Sequence, residues 1–279
     1  MTSRPAPPAE PRTGGPGAAP LAEARGLELR RGTHLAVAAS DLTLPAGRLV
    51  AVIGPNGSGK STLLHALAGT LTPSAGTLTV RGESPARHAR RTAFVMQTVE
   101  VPRGVPLTVR DVVTMGRYPS TGWFRRMRAA DRAAVQAAMD RMDVTDLAGR
   151  HLDELSGGQR QRAYVAQGIA QEHDVLLLDE PVTGLDLVSA RTIDHLLHEE
   201  PERGVAVVYT THDLDEAAAA DHVVLMAGRV VASGTPAEVL TEAHMETAYG
   251  RGALHRPATP SAGAAVPFLD DPVDGAGRR

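Results

Sequence analysis

The chain has 279 residues, 42% of them apolar, and a net charge of -3. That is enough for a sizeable core, and it lacks the global basic surface that dominates nucleic-acid affinity. Cysteine is absent, which excludes disulfides, thiolate metal sites and a cysteine nucleophile together. No apolar run approaches the roughly 20 residues that span a bilayer, and the N-terminus lacks the charged head and apolar core of an export signal.

In chain order, residues 1–20, "MTSRPAPPAEPRTGGPGAAP", carry too little apolar surface to order themselves and are expected to form a flexible tail. The same holds for 251–279, where Pro, Gly and Asp are scattered without period. One domain is expected between them, at 21–250. Within it "LVAVIG" (Leu49 to Gly54), "VLLLD" (Val175 to Asp179) and "VAVVYTT" (Val205 to Thr211) are apolar without alternation, the pattern of buried parallel strands. "GTLTV" and "TAFVMQ" suggest further strands. Asp131 to Met142 reads as a helix with Val135, Met139 and Met142 on one stripe. His222 to Gly234 reads as a hairpin turning at Ala227 and Gly228. Strands alternating with helices predict an α/β layered fold.

Gly54 to Thr62, "GPNGSGKST", matches the phosphate-loop pattern G-x-x-x-x-G-K-[ST] and lies between a predicted strand and a predicted helix, "STLLHALAGTL". Gly54, Pro55, Asn56, Gly57, Ser58 and Gly59 form the loop whose N–H groups turn inward on phosphate. Lys60 is expected to reach the β and γ phosphates of a nucleotide, Ser61 to place its hydroxyl on Mg²⁺, and Thr62 closes the motif. Lys60 is the only lysine among 29 Lys and Arg residues, and Asn56 is the only asparagine. A compact ammonium on a slender stem fits a narrow loop where a planar guanidinium does not. In "VLLLDEP" a strand delivers Asp179 to the rim, where it holds Mg²⁺ through water, while Glu180 orients and deprotonates the attacking water. Pro181 then stops the strand.

"LSGGQRQR", Leu155 to Arg162, precedes a helix former and puts Ser156, Gly157 and Gly158 at its N-cap, with donors for an anion. One chain has no second nucleotide to hold there; two chains packed head to tail do. The stretch, with Gln159, resembles the signature sequence of ATP-binding cassette proteins. Gln97 in "FVMQ", "GLD" at Gly184 to Asp186, and His212 in "TTHDLDEA" resemble that family's remaining motifs, in order. The resemblance implies an α/β P-loop NTPase fold of the cassette ATPase type. Its parts are a RecA-like parallel-sheet core, a small antiparallel β subdomain and a helical signature subdomain at about 98–170. It also implies that Gln97 binds Mg²⁺ and senses a membrane partner, that Asp186 crosses a dimer interface, and that His212 contacts the γ-phosphate. One departure stands out. Such cassettes stack adenine on an aromatic residue before the first core strand, whereas "LELRRGTHLAVAAS" has none: either Arg31 or His34 supplies a cation or imidazole face instead, or the base is held loosely.

After Gln97, Tyr118, Trp123 and Phe124 crowd a short stretch beside arginines, a composition suited to an interface anchor. In the family this region receives a membrane subunit. "LTVRDVVTMGRYPSTGWFRR" and "DEPVTGLDLVS" look like the importers of zinc or manganese. The implied protein is an ATPase on the cytoplasmic face of the cell membrane, held there by permease subunits and paired with a second copy of itself. It is served indirectly by an extracytoplasmic metal-binding protein and has no nucleic-acid partner. An importer of chelated iron or cobalamin differs only in partner; a soluble cassette acting on ribosomes or DNA, or an exporter half, are the more distant alternatives. His195, His198 and Glu199 have a spacing that suits zinc, but an exposed polar helix face is the expected reading.

Overall fold

The structure, a computed structural model, describes residues 19–97, 106–121 and 126–250. The expected tails therefore lie almost wholly outside the described residues, as do Trp123 and Phe124. Among the described residues, nine strands occupy Ala22–Arg31 (β1), His34–Leu44 (β2), Leu49–Ile53 (β3), Ala75–Val80 (β4), Thr92–Val95 (β5), Val175–Leu178 (β6), Ala206–Thr210 (β7), His222–Met226 (β8) and Val230–Gly234 (β9). The helices are Lys60–Leu67 (α1), Pro85–His88 (α2), Val109–Met115 (α3), Tyr118–Thr121 (α4), Ala129–Arg141 (α5), Gly157–Ala170 (α6), Leu187–Glu202 (α7), Leu214–Ala218 (α8), Pro236–Val239 (α9) and Glu242–Tyr249 (α10).

Two sheets form. β2, β1 and β4 make an antiparallel sheet in that order, and the larger sheet runs β5-β6-β7-β3-β8-β9. Its first five strands are parallel, and β9 returns antiparallel to β8 as the predicted hairpin. Every residue of β3, β6 and β7 is buried, which is why these runs carry no alternation: both faces are covered. Side chains of β3 nonetheless alternate between two cores. Leu49, Ala51 and Ile53 join Val113, Met139, Val165 and Ile193 on the side of α3, α5, α6 and α7. Val50 and Val52 join Leu63, Leu64 and Leu67 of α1, with Leu27, Leu29 and Leu44 of the antiparallel sheet. The result is a layered α/β body with the parallel sheet in the middle.

The predicted stripe of α5 is buried at Val135, Met139 and Met142. Several boundaries differ from the sequence expectation by a residue or more, and two of them have a visible backbone cause. α1 ends at Leu67, short of the apolar residues up to Leu71, where Gly69 turns the chain with φ 75°. β6 ends at Leu178, before Pro181, because Glu180 already has φ 47°, a left-handed backbone that no strand continues. No helix among the described residues is long and apolar enough to cross a membrane.

Candidate functional site

In a parallel sheet, ligands bind outside the carboxyl ends of the strands, and here the ends of β3, β6 and β7 converge. β3 leads into the loop Gly54–Gly59, and α1 follows. Gly59 caps that helix with φ 99°, and a β-carbon there would lie 2.6 Å from Val37 Cγ2 and 2.7 Å from the Ala36 carbonyl, so only glycine fits. The first turn of α1 has no side-chain cap and no acidic residue, which leaves its N–H groups and the positive end of its dipole for an anion. Ser58 lines the cleft, and its buried Oγ has no hydrogen-bond partner among the described residues, an orphan that a phosphate oxygen would satisfy.

Lys60 Nζ donates to the carbonyls of Gly54 (2.8 Å) and Pro55 (3.2 Å). Burial pushes the Lys60 ammonium pKa down, and the negative charges of Glu180 and Asp179 oppose that shift only in part. The loop itself rests on the β8–β9 turn: the Gly228 N–H donates to the Ser58 carbonyl at 3.0 Å, and Ala38 N–H in β2 donates to the Gly228 carbonyl at 2.8 Å. No local pattern in the sequence points to this support.

Asp179 follows β6 directly and is 7% exposed. Its Oδ1 accepts from the Thr210 hydroxyl at 2.6 Å, and the same hydroxyl accepts the Glu180 N–H at 2.8 Å. Gln97, beyond the end of β5, donates from Nε2 to Glu180 Oε2 at 2.7 Å. The structure thus places Gln97 against Glu180. His212 stands exposed just after β7, outside the lining of the cleft.

That cleft has a volume of about 510 Å³. Arg31, His34 and Ala36 form one wall, Asn56 to Thr62 the floor, and Gln97 with Glu180 the far side. Arg31 and His34, the two residues offered in place of an aromatic, therefore do border the phosphate loop. Asp179, Gly54 and Pro55 do not line it: Asp179 and Gly54 are buried and Pro55 is half-buried.

The signature segment sits elsewhere. Ser156 caps α6, accepting from the Gln159 N–H at 3.2 Å, while Gln159 Oε1 accepts from the Ser156 N–H at 3.1 Å, a closed capping box. A β-carbon on Gly157 would meet nothing within 4 Å, but one on Gly158 would lie 2.2 Å from Asp186 Oδ2 and 2.4 Å from Ser189 Oγ. Asp186 in turn caps α7, accepting from the Ser189 N–H (2.9 Å) and hydroxyl (2.8 Å). Those two hydrogen bonds hold its carboxyl below the usual aspartate range. Within one chain, then, Asp186 serves its own helix. Ser156 and Gly157 do not line the cleft. The motif's last arginine, Arg162, is buried and donates to the Met142 and Asp143 carbonyls at 3.0 and 2.7 Å, a role in closing α5 that the motif reading missed.

No group of three or more His, Cys, Asp or Glu residues able to hold a metal occurs among the described residues. His195 and His198 are exposed on α7, and Glu199 is engaged by Arg141 at 2.6 Å, so this face is a polar helix surface. The cleft's own oxygen donors are another matter. Ser61 Oγ has no protein partner among the described residues, and Asp179 Oδ2 has none either. One hydroxyl and one carboxylate beside a phosphate site are the sparse, hard-oxygen set that Mg²⁺ takes, the remaining positions going to phosphate and water.

Residues 37–183 match the family described as ABC transporter. The chain is 45% identical over 244 residues to the hemin import ATP-binding protein of Nocardia farcinica, covering 85% of this chain and 78% of that one. It is 38% identical over 211 residues to the zinc transport system ATP-binding protein of Treponema pallidum, covering 75% and 79%. A solved ABC transporter in an inward-facing conformation superposes with a TM-score of 0.73 at 29% identity, covering 83% of this chain and 89% of that one. With the phosphate loop, the Asp179–Glu180 pair and the capped signature helix in place, the chain belongs to the ABC transporter family and is an ATPase of that family.

Proposed function

We propose that the chain is the ATP-hydrolysing subunit of an importer, acting on the cytoplasmic face of a membrane through separate permease subunits, and that its cargo is a metal taken up in chelated form. The observation that carries the ATPase half is the cleft itself, with Lys60 on the loop's carbonyls and Glu180 held 2.7 Å from Gln97 at its edge. Support for the cargo is the 45% identity to a hemin import protein against 38% to a zinc transport protein, over a larger share of the chain. Uptake of free zinc or manganese, which the phrases at 107–126 and 179–189 favour, is the second reading, and the zinc relative supports it.

The chemistry follows from the residues. Lys60 and the first-turn N–H groups of α1 bind the phosphates and stabilise the charge that develops on them. Glu180 orients a water toward the γ-phosphorus and takes its proton as the new P–O bond forms. The bond to the β–γ bridging oxygen breaks, and ADP leaves with that electron pair. Mg²⁺, held by Ser61 and Asp179 with Gln97 close by, would supply charge neutralisation when bound. Two copies packed head to tail would bring Ser156 and Gly157 of one chain to the nucleotide of the other, and an extracytoplasmic binding protein would deliver the cargo.

The test is uptake of hemin, an iron chelate, zinc and manganese in cells lacking the chain, rescued with wild type or Lys60→Ala. Loss of a chelate alone, restored only by wild type, is expected. Loss of zinc or manganese alone would select the second reading, and no loss of any of the four would end the importer reading.

A further inference from the structure

We infer that Thr210 is a positioning residue for ATP hydrolysis: its one hydroxyl fixes both the Asp179 carboxylate and the backbone of Glu180. The inference rests on the ATPase reading of the cleft and adds to it a residue to which the motifs assign no role. Its basis is the order of the sheet. β7 lies between β6, which leads into Asp179 and Glu180, and β3, which leads into the phosphate loop. Thr210 closes β7 opposite Val52, and the next N–H, from Thr211, donates to the Val52 carbonyl at 3.1 Å. The backbone at 210 is thereby registered to the phosphate loop, while the side chain turns to the other neighbour.

There the hydroxyl is fully used in one direction. Thr210 is 0% exposed and has one proton, which goes to Asp179 Oδ1 at 2.6 Å, so the 2.8 Å contact with the Glu180 N–H must be accepted by a lone pair. Committing Oδ1 leaves Oδ2 as the oxygen without a protein donor among the described residues. Accepting the Glu180 N–H holds a residue whose φ of 47° is unfavourable for a side chain other than glycine. The adjacent Thr211 does not duplicate this: its hydroxyl donates to Glu216 Oε2 at 2.6 Å.

Valine keeps the shape and β preference of threonine but has no hydroxyl, whereas serine keeps the hydroxyl and loses a methyl group. Wild type, Thr210→Val, Thr210→Ala and Thr210→Ser full-length chains would be compared for kcat and KM of ATP hydrolysis, for Mn²⁺ binding with ATP present by electron paramagnetic resonance, and for melting temperature. Thr210→Val is expected to lower kcat by about 100-fold, the scale of a misplaced catalytic group, with KM for ATP unchanged and Mn²⁺ bound more weakly; Thr210→Ser restores both. Thr210→Ala carries the same expectation if the valine chain does not fold. Wild-type kcat in the valine or alanine chain, a serine chain no better than valine, or a rise in KM in place of a fall in kcat would overturn the assignment. A wild-type chain that neither binds nor hydrolyses ATP would instead overturn the ATPase reading, and this inference with it.

Discussion

Gln97 Nε2 donates to Glu180 Oε2 across 2.7 Å, so the side chain that follows β5 is tied to the carboxylate that follows β6. The bond occupies one oxygen of the residue assigned to water activation and links it to the segment leading into the helical region.

Glu180→Gln is therefore expected to keep nucleotide binding while hydrolysis falls by about 10²–10⁴-fold, the range of a general base. ATP retained on the protein after removal of free nucleotide, compared with phosphate released, measures the split. Gln97→Ala frees the carboxylate without altering it and is expected to lower kcat less than Glu180→Gln does.

Lys60→Ala removes a charge-assisted donor from the phosphates, and nucleotide affinity is expected to fall about 10- to 100-fold, the equivalent of roughly 1.5–3 kcal/mol. Lys60→Arg should not rescue it, because the ammonium reaches two carbonyls inside a narrow loop and a guanidinium fork does not fit that geometry. Titration with a fluorescent ATP analogue checks both.

The two glycines of the signature should part company. Gly158→Ala drives a methyl group into Asp186 and Ser189, and is expected to cost about 1–3 kcal/mol of stability, as overpacking does. Gly157→Ala meets open space and should melt with wild type. A loss of ATPase activity in Gly157→Ala at unchanged melting temperature would then report a contact with a second chain, whereas unchanged activity at all protein concentrations would count against the head-to-tail pair.

Stability should also carry an acid signature from the helical region. Arg117, buried beside Asp131, donates to its Oδ1 at 3.1 and 2.8 Å. That side-chain bond, followed by the Arg128 N–H, holds the Asp131 carboxyl below the usual aspartate range. A depressed folded-state value means the stabilisation is fully present above the ordinary aspartate pKa and is lost as pH falls through the depressed one. Asp131→Asn should therefore lower stability near neutrality and show a flatter decline on acidification, measured as denaturation midpoints from pH 7 downward.

What the sequence disclosed was whatever lies close along the chain. The phosphate loop, the Asp179–Glu180 pair and the Ser156–Gln159 cap are local patterns whose chemistry needs fixed spacing, and the three unalternating strands declared themselves by being buried on both faces. What stayed hidden depends on sheet order. Thr210 reaches Asp179 only because β7 is inserted between β6 and β3, and Gly228 reaches Ser58 only because β8 lies on the other side of β3; no spacing rule connects such residues. Arg162 was concealed differently: it belongs to a recognised motif, yet its contacts with Met142 and Asp143 serve α5.

The Gly228 contact has a temporal meaning. The phosphate loop is translated early, but the N–H that supports the Ser58 carbonyl, and the carbonyl that ties it to β2, belong to a turn near the end of the domain. Domains generally fold as units during synthesis, so a nascent chain that has displayed the whole of "GPNGSGKST" still lacks the prop beneath it. The loop is completed only when the β8–β9 hairpin closes. A chain truncated before Gly228 would keep the entire phosphate motif in its sequence without the means to hold it in shape.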